Sequence, residues 1–141
     1  MTSILSAPPT SPTIWIDVPG GGRLAAQDEG DGPPILLIHS AIVNRRSWDP
    51  VVPLLVAAGY RVIRYDMRGF GESTTDEVEY QPHADAVAVV DHFGLEKAAI
   101  GGNSMGGAFA LDTVLERPDR FVAYIWVGAG IGGFDKPADP A

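Results

Sequence analysis

The sequence contains no cysteine, which excludes disulfide bonds, a thiolate nucleophile and any metal site built on sulfur. Positive charge is also scarce, because 10 Lys and Arg residues stand against 18 Asp and Glu, for a net charge of -8. A chain with this balance and no basic cluster repels phosphate backbones and anionic lipid, so we expect no nucleic-acid or membrane partner. Since a lack of cysteine is typical of a reducing compartment, we expect a cytoplasmic protein.

Long apolar runs are missing as well, since no stretch approaches the roughly 20 residues that a membrane helix needs. Residues 1–12 lack the positively charged start of a secretory signal and are predicted to be disordered. His, Asp and Glu residues form no cluster with metal-ligand spacing, so we expect no metal and no cofactor. The length of 141 residues suits a single domain.

The remaining sequence alternates between strand-like and helix-like segments. The apolar run 35–39 has the length of a buried strand, and the sequence PGGG at 19–22 is typical of a hairpin turn. Strands are predicted at 13–18, 23–30, 35–39, 60–66, 97–102 and 121–130, and helices at 48–59, 82–94 and 104–117. This order predicts an α/β fold, with a mostly parallel twisted sheet, an N-terminal β-hairpin and right-handed crossovers.

Several side chains receive structural predictions from their positions in these elements. Asp49 is expected to cap the helix that follows it. Tyr124 and Trp126 are expected on a buried strand. Asp66 and Arg68 are expected to fix the turn after their strand.

Ser104 lies in the sequence GNSMG, between a predicted strand and a predicted helix. In a parallel sheet, reactive groups gather at the carboxyl ends of the strands. The spacing G-x-S-x-G is typical of a sharp turn that strains the serine backbone, and the small Gly102 and Gly106 keep strand and helix from colliding. The alternative is a glycine-rich turn that only packs closely or holds a phosphate. A Walker loop is excluded, because no G-K-[ST] sequence is present.

Three motifs resemble those of one known family, in its order and approximate spacing. They are LLIHSAIVNRRSWDP (36–50), YDMRGFGES (65–73) and GGNSMGGAFALDTVLERPDRF (101–121). Together they make the chain similar to the N-terminal half of an α/β-hydrolase-fold enzyme. The resemblance implies a partial hydrolase core at 13–130, with residues 131–141 as the start of a cap or linker.

The resemblance also implies a chemistry, a serine hydrolase that acts on a small ester, lactone or related acyl substrate. Ser104 would be the nucleophile, and the backbone amides of Met105 and Ala41 would form the oxyanion hole. Ser40 departs from the pattern, because the family most often has glycine there. The sequence GNSMGGA is also similar to the elbow of hydrolases that cleave carbon–carbon bonds in aromatic ring-fission products.

A serine nucleophile needs a general base, and the base needs a carboxylate to orient it. The family supplies both after later strands, and this sequence stops just past the sixth strand, so we expect the base to be missing. His39 matches the oxyanion-loop histidine, whose usual role is structural. His83 is expected at a helix start and His92 at the opposite edge of the sheet. Asp135 is the candidate for the triad acid.

Two hypotheses from different classes remain. The chain is either an incomplete serine hydrolase or a non-catalytic binding module that keeps the half-fold without a base. Both predict an open edge on strand 121–130, through which the chain would self-associate or bind a complementing chain.

Overall fold

The computed structural model describes residues 11–76 and 78–128, and these form an α/β fold with an N-terminal β-hairpin, as predicted. The strands are β1 (Ile14–Val18), β2 (Gly22–Glu29), β3 (Pro34–Ile38), β4 (Arg61–Tyr65), β5 (Ala98–Asn103) and β6 (Phe121–Val127). The helices are α1 (Val52–Ala57), α2 (Pro82–His92) and α3 (Met105–Glu116), preceded by a short 3₁₀ helix at Arg45–Trp48.

The six strands form one sheet in the order β1-β2-β4-β3-β5-β6. The hairpin strands β1 and β2 are antiparallel to each other, and β2 is antiparallel to β4. The other neighbours are parallel. The chain leaves β3 on one side to reach β4 and then returns past it to β5. The carboxyl ends of β3 and β5 therefore flank the point where the strand order reverses, where ligands bind in open α/β sheets.

Alternating side chains of the central strands bury both faces of the sheet. Leu36, Ile38, Ile63 and Ile100 point toward α2 and α3, where the larger core lies. On the other face, α1 and the 3₁₀ helix cover a smaller core, which comprises Ile35, Leu37, Trp48, Val52 and Val62. These continuous apolar runs are buried on both sides because helices cover both faces of a parallel sheet.

The structure corrects the predicted start of the first helix. The side chain of Asn44 accepts a 2.9 Å hydrogen bond from the Arg46 amide and begins the 3₁₀ helix, whereas α1 begins only at Val52. The prediction that Asp49 caps α1 is wrong. Its carboxylate pairs instead with the buried guanidinium of Arg64, because a full positive charge attracts the carboxylate more strongly than a helix amide does.

The structure also corrects the expected burial of the last strand. Trp126 is 50% exposed and Val122 is 68% exposed, although the hydroxyl of Tyr124 donates a 2.8 Å hydrogen bond to the Gly107 carbonyl in α3. The reason is position, because within the described part of the chain β5 is the sole strand that pairs with β6. An apolar strand at an edge leaves its outer surface uncovered.

The predicted ends of the chain are only partly covered by the structure. Ser11 runs beside the end of β2, where its hydroxyl donates a 2.8 Å hydrogen bond to Glu29. The predictions for residues 1–10, for residues 131–141 and for Asp135 lie outside the described residues.

Candidate active site

Ser104 occupies the turn between β5 and α3, at the carboxyl end of the sheet. Its backbone angles are φ 52° and ψ -117°, and among the described residues it is the one non-glycine residue with positive φ. Such a conformation costs of order 1–3 kcal/mol and persists only where the surroundings impose it. The side chain is exposed, so the turn presents the hydroxyl to solvent above the sheet.

Two glycines allow this turn to exist. A Cβ atom on Gly102 would collide with the backbone of Gly106, which lies in the first turn of α3. A Cβ atom on Gly106 would collide in turn with the carbonyl groups of Ile38 and His39 at the end of β3. The start of α3 therefore lies directly against the end of β3, as the spacing of the motif predicts.

The same approach brings two backbone amides to the carboxyl edge. Met105 is the first residue of α3, where the helix dipole favours negative charge. Ala41 lies exposed in the loop that follows β3. Neither amide donates a hydrogen bond to another residue in the parts of the chain that the structure describes.

His39 is buried and both of its ring nitrogens are occupied. Its Nε2 accepts a 2.9 Å hydrogen bond from the Met67 amide, so the proton of the neutral ring sits on Nδ1, which lies 2.8 Å from the carbonyl oxygen of Ser40. Burial lowers the pKa of His39, which favours this neutral form. A ring with both nitrogens engaged has none available as a base, in agreement with the structural role predicted for it.

Asp66 fixes its turn, as predicted, and does so through a partner that sequence reasoning missed. Its buried carboxylate accepts hydrogen bonds from the amides of Arg45 and Glu72, at 2.7 and 2.8 Å, and pairs with the Arg45 guanidinium. Nothing in the sequence distinguishes the buried Arg45 from its exposed neighbour Arg46. The difference comes from the 3₁₀ helix, which turns only the first of the two toward the sheet.

Arg68 also fixes this region, through a buried ion pair with Asp85 at the start of α2. Its Nε and Nη2 atoms donate hydrogen bonds of 2.7 and 2.8 Å to the two carboxylate oxygens. These bonds raise the pKa of Arg68, and the guanidinium stacks 4.6 Å from the ring centre of Tyr80. A cavity of about 170 Å³ lies beside this pair and is otherwise apolar, with Met105 and Phe109 of α3 in its wall.

Neither of the remaining two histidines lines the cavity beside Met105. His83 lines a surface groove with Glu116 and Arg117, which are at the far end of α3. The neighbouring Pro82 lines the cavity beside Met105, so the start of α2 lies on the side of the sheet that carries Ser104, but the groove of His83 is separate from that cavity. His92 is the last residue of α2, exposed and in edge contact with Phe93. Among the described residues, none of the three histidines forms a hydrogen bond with the Ser104 hydroxyl.

Among the described residues, no three His, Asp or Glu side chains are grouped so that they could hold a metal ion. The described helices are also too short or too polar to cross a bilayer.

The chain matches known proteins along most of its length. The family model for the alpha/beta hydrolase fold matches residues 33–140. The 2-hydroxy-6-oxo-6-phenylhexa-2,4-dienoate hydrolase of Burkholderia cepacia is 36% identical over 135 residues, which are 89% of this chain and 47% of that protein. The 2-hydroxy-6-oxononadienedioate/2-hydroxy-6-oxononatrienedioate hydrolase of Comamonas testosteroni is 37% identical over 115 residues, 77% of this chain and 40% of that protein.

Solved structures agree. An epoxide hydrolase from an endophytic Streptomyces superposes with a TM-score of 0.77 at 36% identity, covering 82% of this chain and 36% of that one. A structure from a study of carboxylesterases of Nitrososphaera gargenis superposes with a TM-score of 0.80 at 26% identity, covering 86% and 47%. The chain thus spans less than half the length of these relatives.

Proposed function

The chain belongs to the α/β-hydrolase fold family, and from that premise we propose that it carries the nucleophile half of a serine hydrolase site. Ser104 attacks an ester, lactone or related acyl carbon of a small molecule, and water then releases the acyl group. The observation that carries the proposal is the positive φ of Ser104 on an exposed turn at the carboxyl end of β5. Strain of this kind clusters at functional sites, and a turn that only packed closely would have no need to expose a strained serine.

The chemistry of a hydroxyl nucleophile favours acyl substrates over the epoxides that some relatives act on by name. When the Ser104 hydroxyl attacks the carbonyl carbon of an ester, its proton goes to the base, the carbon–oxygen bond to the alcohol part breaks, and the alcohol leaves with that proton. The acyl-serine ester that remains is hydrolysed by water to the acid, which returns the serine. Attack on an epoxide carbon would give an ether, which water does not cleave under the same conditions. Ser104 therefore suits esters, lactones, or ketones cleaved at a carbon–carbon bond, and the Burkholderia relative is by its name a hydrolase of a compound with a 6-oxo group.

The amides of Met105 and Ala41 are proposed to hold the oxyanion. Both lie at the carboxyl edge without an acceptor among the described residues, and Met105 adds the positive end of a helix. Donors fixed in place before the reaction stabilise the charge that develops on the carbonyl oxygen without having to reorganise.

The general base is proposed to come from polypeptide beyond these 141 residues. His39 uses both nitrogens, His83 lines a groove with Glu116 and Arg117 and not the cavity beside Met105, and His92 is exposed at the end of α2. The triad acid role of Asp135 stays a prediction.

Labelling of the serine by a fluorophosphonate, with and without added imidazole, tests this function. We expect an adduct on Ser104 in the mass spectrum, formed faster when imidazole supplies the missing base. Ser104→Ala should abolish the adduct, whereas Ser47→Ala, which removes another exposed serine, should not. Equal labelling of the Ser104→Ala variant, or no labelling even with imidazole, would contradict the proposal.

A non-catalytic binding module is the second candidate. The observation that favours it is the engagement of both His39 nitrogens, which leaves this histidine at the carboxyl edge unable to act as a base. No labelling under any condition, with the fold intact, is the outcome that this candidate predicts.

A further inference from the structure

The loop that carries Ala41 runs from His39 to Arg45, between the end of β3 and the 3₁₀ helix. Its middle is exposed, with Ile42 94% exposed, and it has no regular secondary structure. Unless other groups held the loop in place, a backbone donor in it would move by more than the roughly 0.5 Å that an active site tolerates.

Both ends of this loop are fastened to one turn, residues 66–73. At the first end, the Nε2 atom of His39 accepts a hydrogen bond from the Met67 amide. At the second end, the carboxylate of Asp66 accepts a hydrogen bond from the backbone amide of Arg45. The two attachment points on the turn are adjacent residues, so the loop is closed into a ring by hydrogen bonds at its two ends.

The Arg45 side chain strengthens the second attachment. It is 95% buried, and besides Asp66 it contacts three further groups, one on the same turn and two on other segments. Its Nε donates a 3.0 Å hydrogen bond to Gln27 of β2, and its Nη2 donates to Glu72 at 2.8 Å and to Thr13 at 3.1 Å. A planar guanidinium with this many fixed acceptors loses little freedom for each bond formed.

Moving the second end of the loop would separate Arg45 from the fully buried carboxylate of Asp66. Separating the pair would leave each charge in the interior without its partner, at a large cost in free energy, so the two groups stay together. The first attachment has no such charge, because His39 is neutral. The ion pair is therefore the stronger of the two constraints on the loop.

We propose that Arg45 is a positioning residue that fixes the Ala41 amide through its ion pair with Asp66. This role rests on the proposed function for its catalytic meaning, but the order of the loop can be measured without turnover. Arg45 contacts no reacting atom. It acts by fixing the end of the loop that contains the Ala41 amide, the proposed oxyanion donor.

Amide relaxation of the 15N-labelled chain tests the positioning directly. We expect the order parameter of the Ala41 amide to fall from about 0.85 to below about 0.6 in Arg45→Gln. The matched control is Arg46→Gln, which removes the same charge from the adjacent residue, whose side chain is 62% exposed. An Ala41 order parameter that is unchanged in Arg45→Gln, or that falls equally in both variants, overturns the proposal.

Glu72→Gln keeps the test decisive if Arg45→Gln does not fold. Glu72 is 57% exposed and accepts the hydrogen bond of Arg45 Nη2, so weakening that bond loosens the Arg45 side chain without leaving a buried charge unpaired. We expect a smaller fall of the Ala41 order parameter in this variant, and no fall would count against the role of Arg45.

A second readout concerns the oxyanion itself, with imidazole as base and a matched pair of an activated ester and its thionoester. Sulfur accepts hydrogen bonds weakly, so a misplaced donor slows the ester more than the thionoester. We expect the ester-to-thionoester rate ratio to fall about tenfold in Arg45→Gln and to stay constant in Arg46→Gln. Because a loss of folded protein lowers both rates equally, it does not by itself change the ratio. A ratio in Arg45→Gln that equals the ratio of the native chain would overturn the catalytic part of the proposal. If the native chain shows no Ser104-dependent turnover, the proposed function fails, while the order parameters still decide the positioning.

Discussion

The backbone amide of Ser104 donates a 3.0 Å hydrogen bond to the carbonyl oxygen of Val127, the last residue of β6. The nucleophile turn therefore rests on the edge strand as well as on its own strand. A second bond from Tyr124 to Gly107 ties the same strand to the start of α3. A substitution that displaces β6 should consequently also displace the turn that holds Ser104.

The strained backbone of Ser104 predicts an unusual stability change. Ser104→Gly removes the steric cost of positive φ, which exceeds the extra backbone entropy of glycine, so we expect unfolding to require about 1 kcal/mol more. Ser104→Ala keeps the Cβ atom and should change stability little. Urea denaturation measures both, and a less stable glycine variant would show that the turn is not strained.

The contact between Gly106 and β3 predicts a large effect from one methyl group. Gly106→Ala places a Cβ atom against the carbonyls of Ile38 and His39, which cannot move without shifting the strand, so we expect a loss of at least about 2 kcal/mol. Gly22→Ala meets chiefly the side chains of Arg68 and Val18, at 3.1 and 3.2 Å, and should cost less. Equal losses in thermal denaturation would argue against the close approach of α3.

The buried pair of Arg68 and Asp85 predicts a strong dependence on charge. Asp85→Asn leaves the Arg68 guanidinium without its counter-charge in the interior, which should cost about 3–5 kcal/mol. The control is Asp91→Asn, which breaks a pair with Arg120 in which the aspartate is 58% exposed, and which should cost under about 1 kcal/mol. Similar losses for the two variants in denaturant titrations would contradict this reading.

The neutral, buried His39 predicts that stability falls with acid. Its folded pKa lies below the ordinary 6.5, so the unfolded chain binds the extra proton first as the pH drops. Stability from this group is complete above about pH 6.5 and is lost between that pH and the lowered folded pKa, at up to about 1.4 kcal/mol per pH unit. His39→Gln should remove this slope and the exposed His92→Gln should keep it. Identical pH profiles for all three proteins would show that His39 titrates normally.

The uncovered edge of β6 predicts self-association. Its sequence FVAYIWV contains none of the charged residues or prolines that protect edge strands. We expect the sedimentation coefficient to rise with concentration, and Trp126→Lys to suppress that rise. Leu115→Lys makes a similar change on α3, at a residue that is 70% exposed, and should leave association intact. A monomer at all concentrations, or equal behaviour of the two variants, would exclude this surface.

Much of the site could be anticipated because its constraints are local. The glycines at 102 and 106 predict the turn around Ser104, since only residues without Cβ fit there. The alternation of strands and helices places that turn at the carboxyl edge. The role of His39 also follows from its motif, and the ring bonds agree with it.

The buried charges could not be anticipated in the same way. Arg45 and Arg46 are adjacent and chemically identical, and Asp49 has the form of a helix cap. Their burial depends on charged partners more than a dozen residues away, on β4 and the turn after it. Arg45 pairs with Asp66, and Asp49 pairs with Arg64. The position of β6 at the edge is likewise a property of the whole sheet.

Local chemistry in the sequence therefore determined the fold class, the strained turn and the identity of the candidate nucleophile, because short-range sterics and hydrophobic period act between neighbours. Tertiary structure alone decided which charges are buried, which histidine nitrogens are engaged and which apolar strand is left uncovered. These depend on contacts between distant segments, and the cost of an unpaired group in the interior selects among them only once the sheet has assembled.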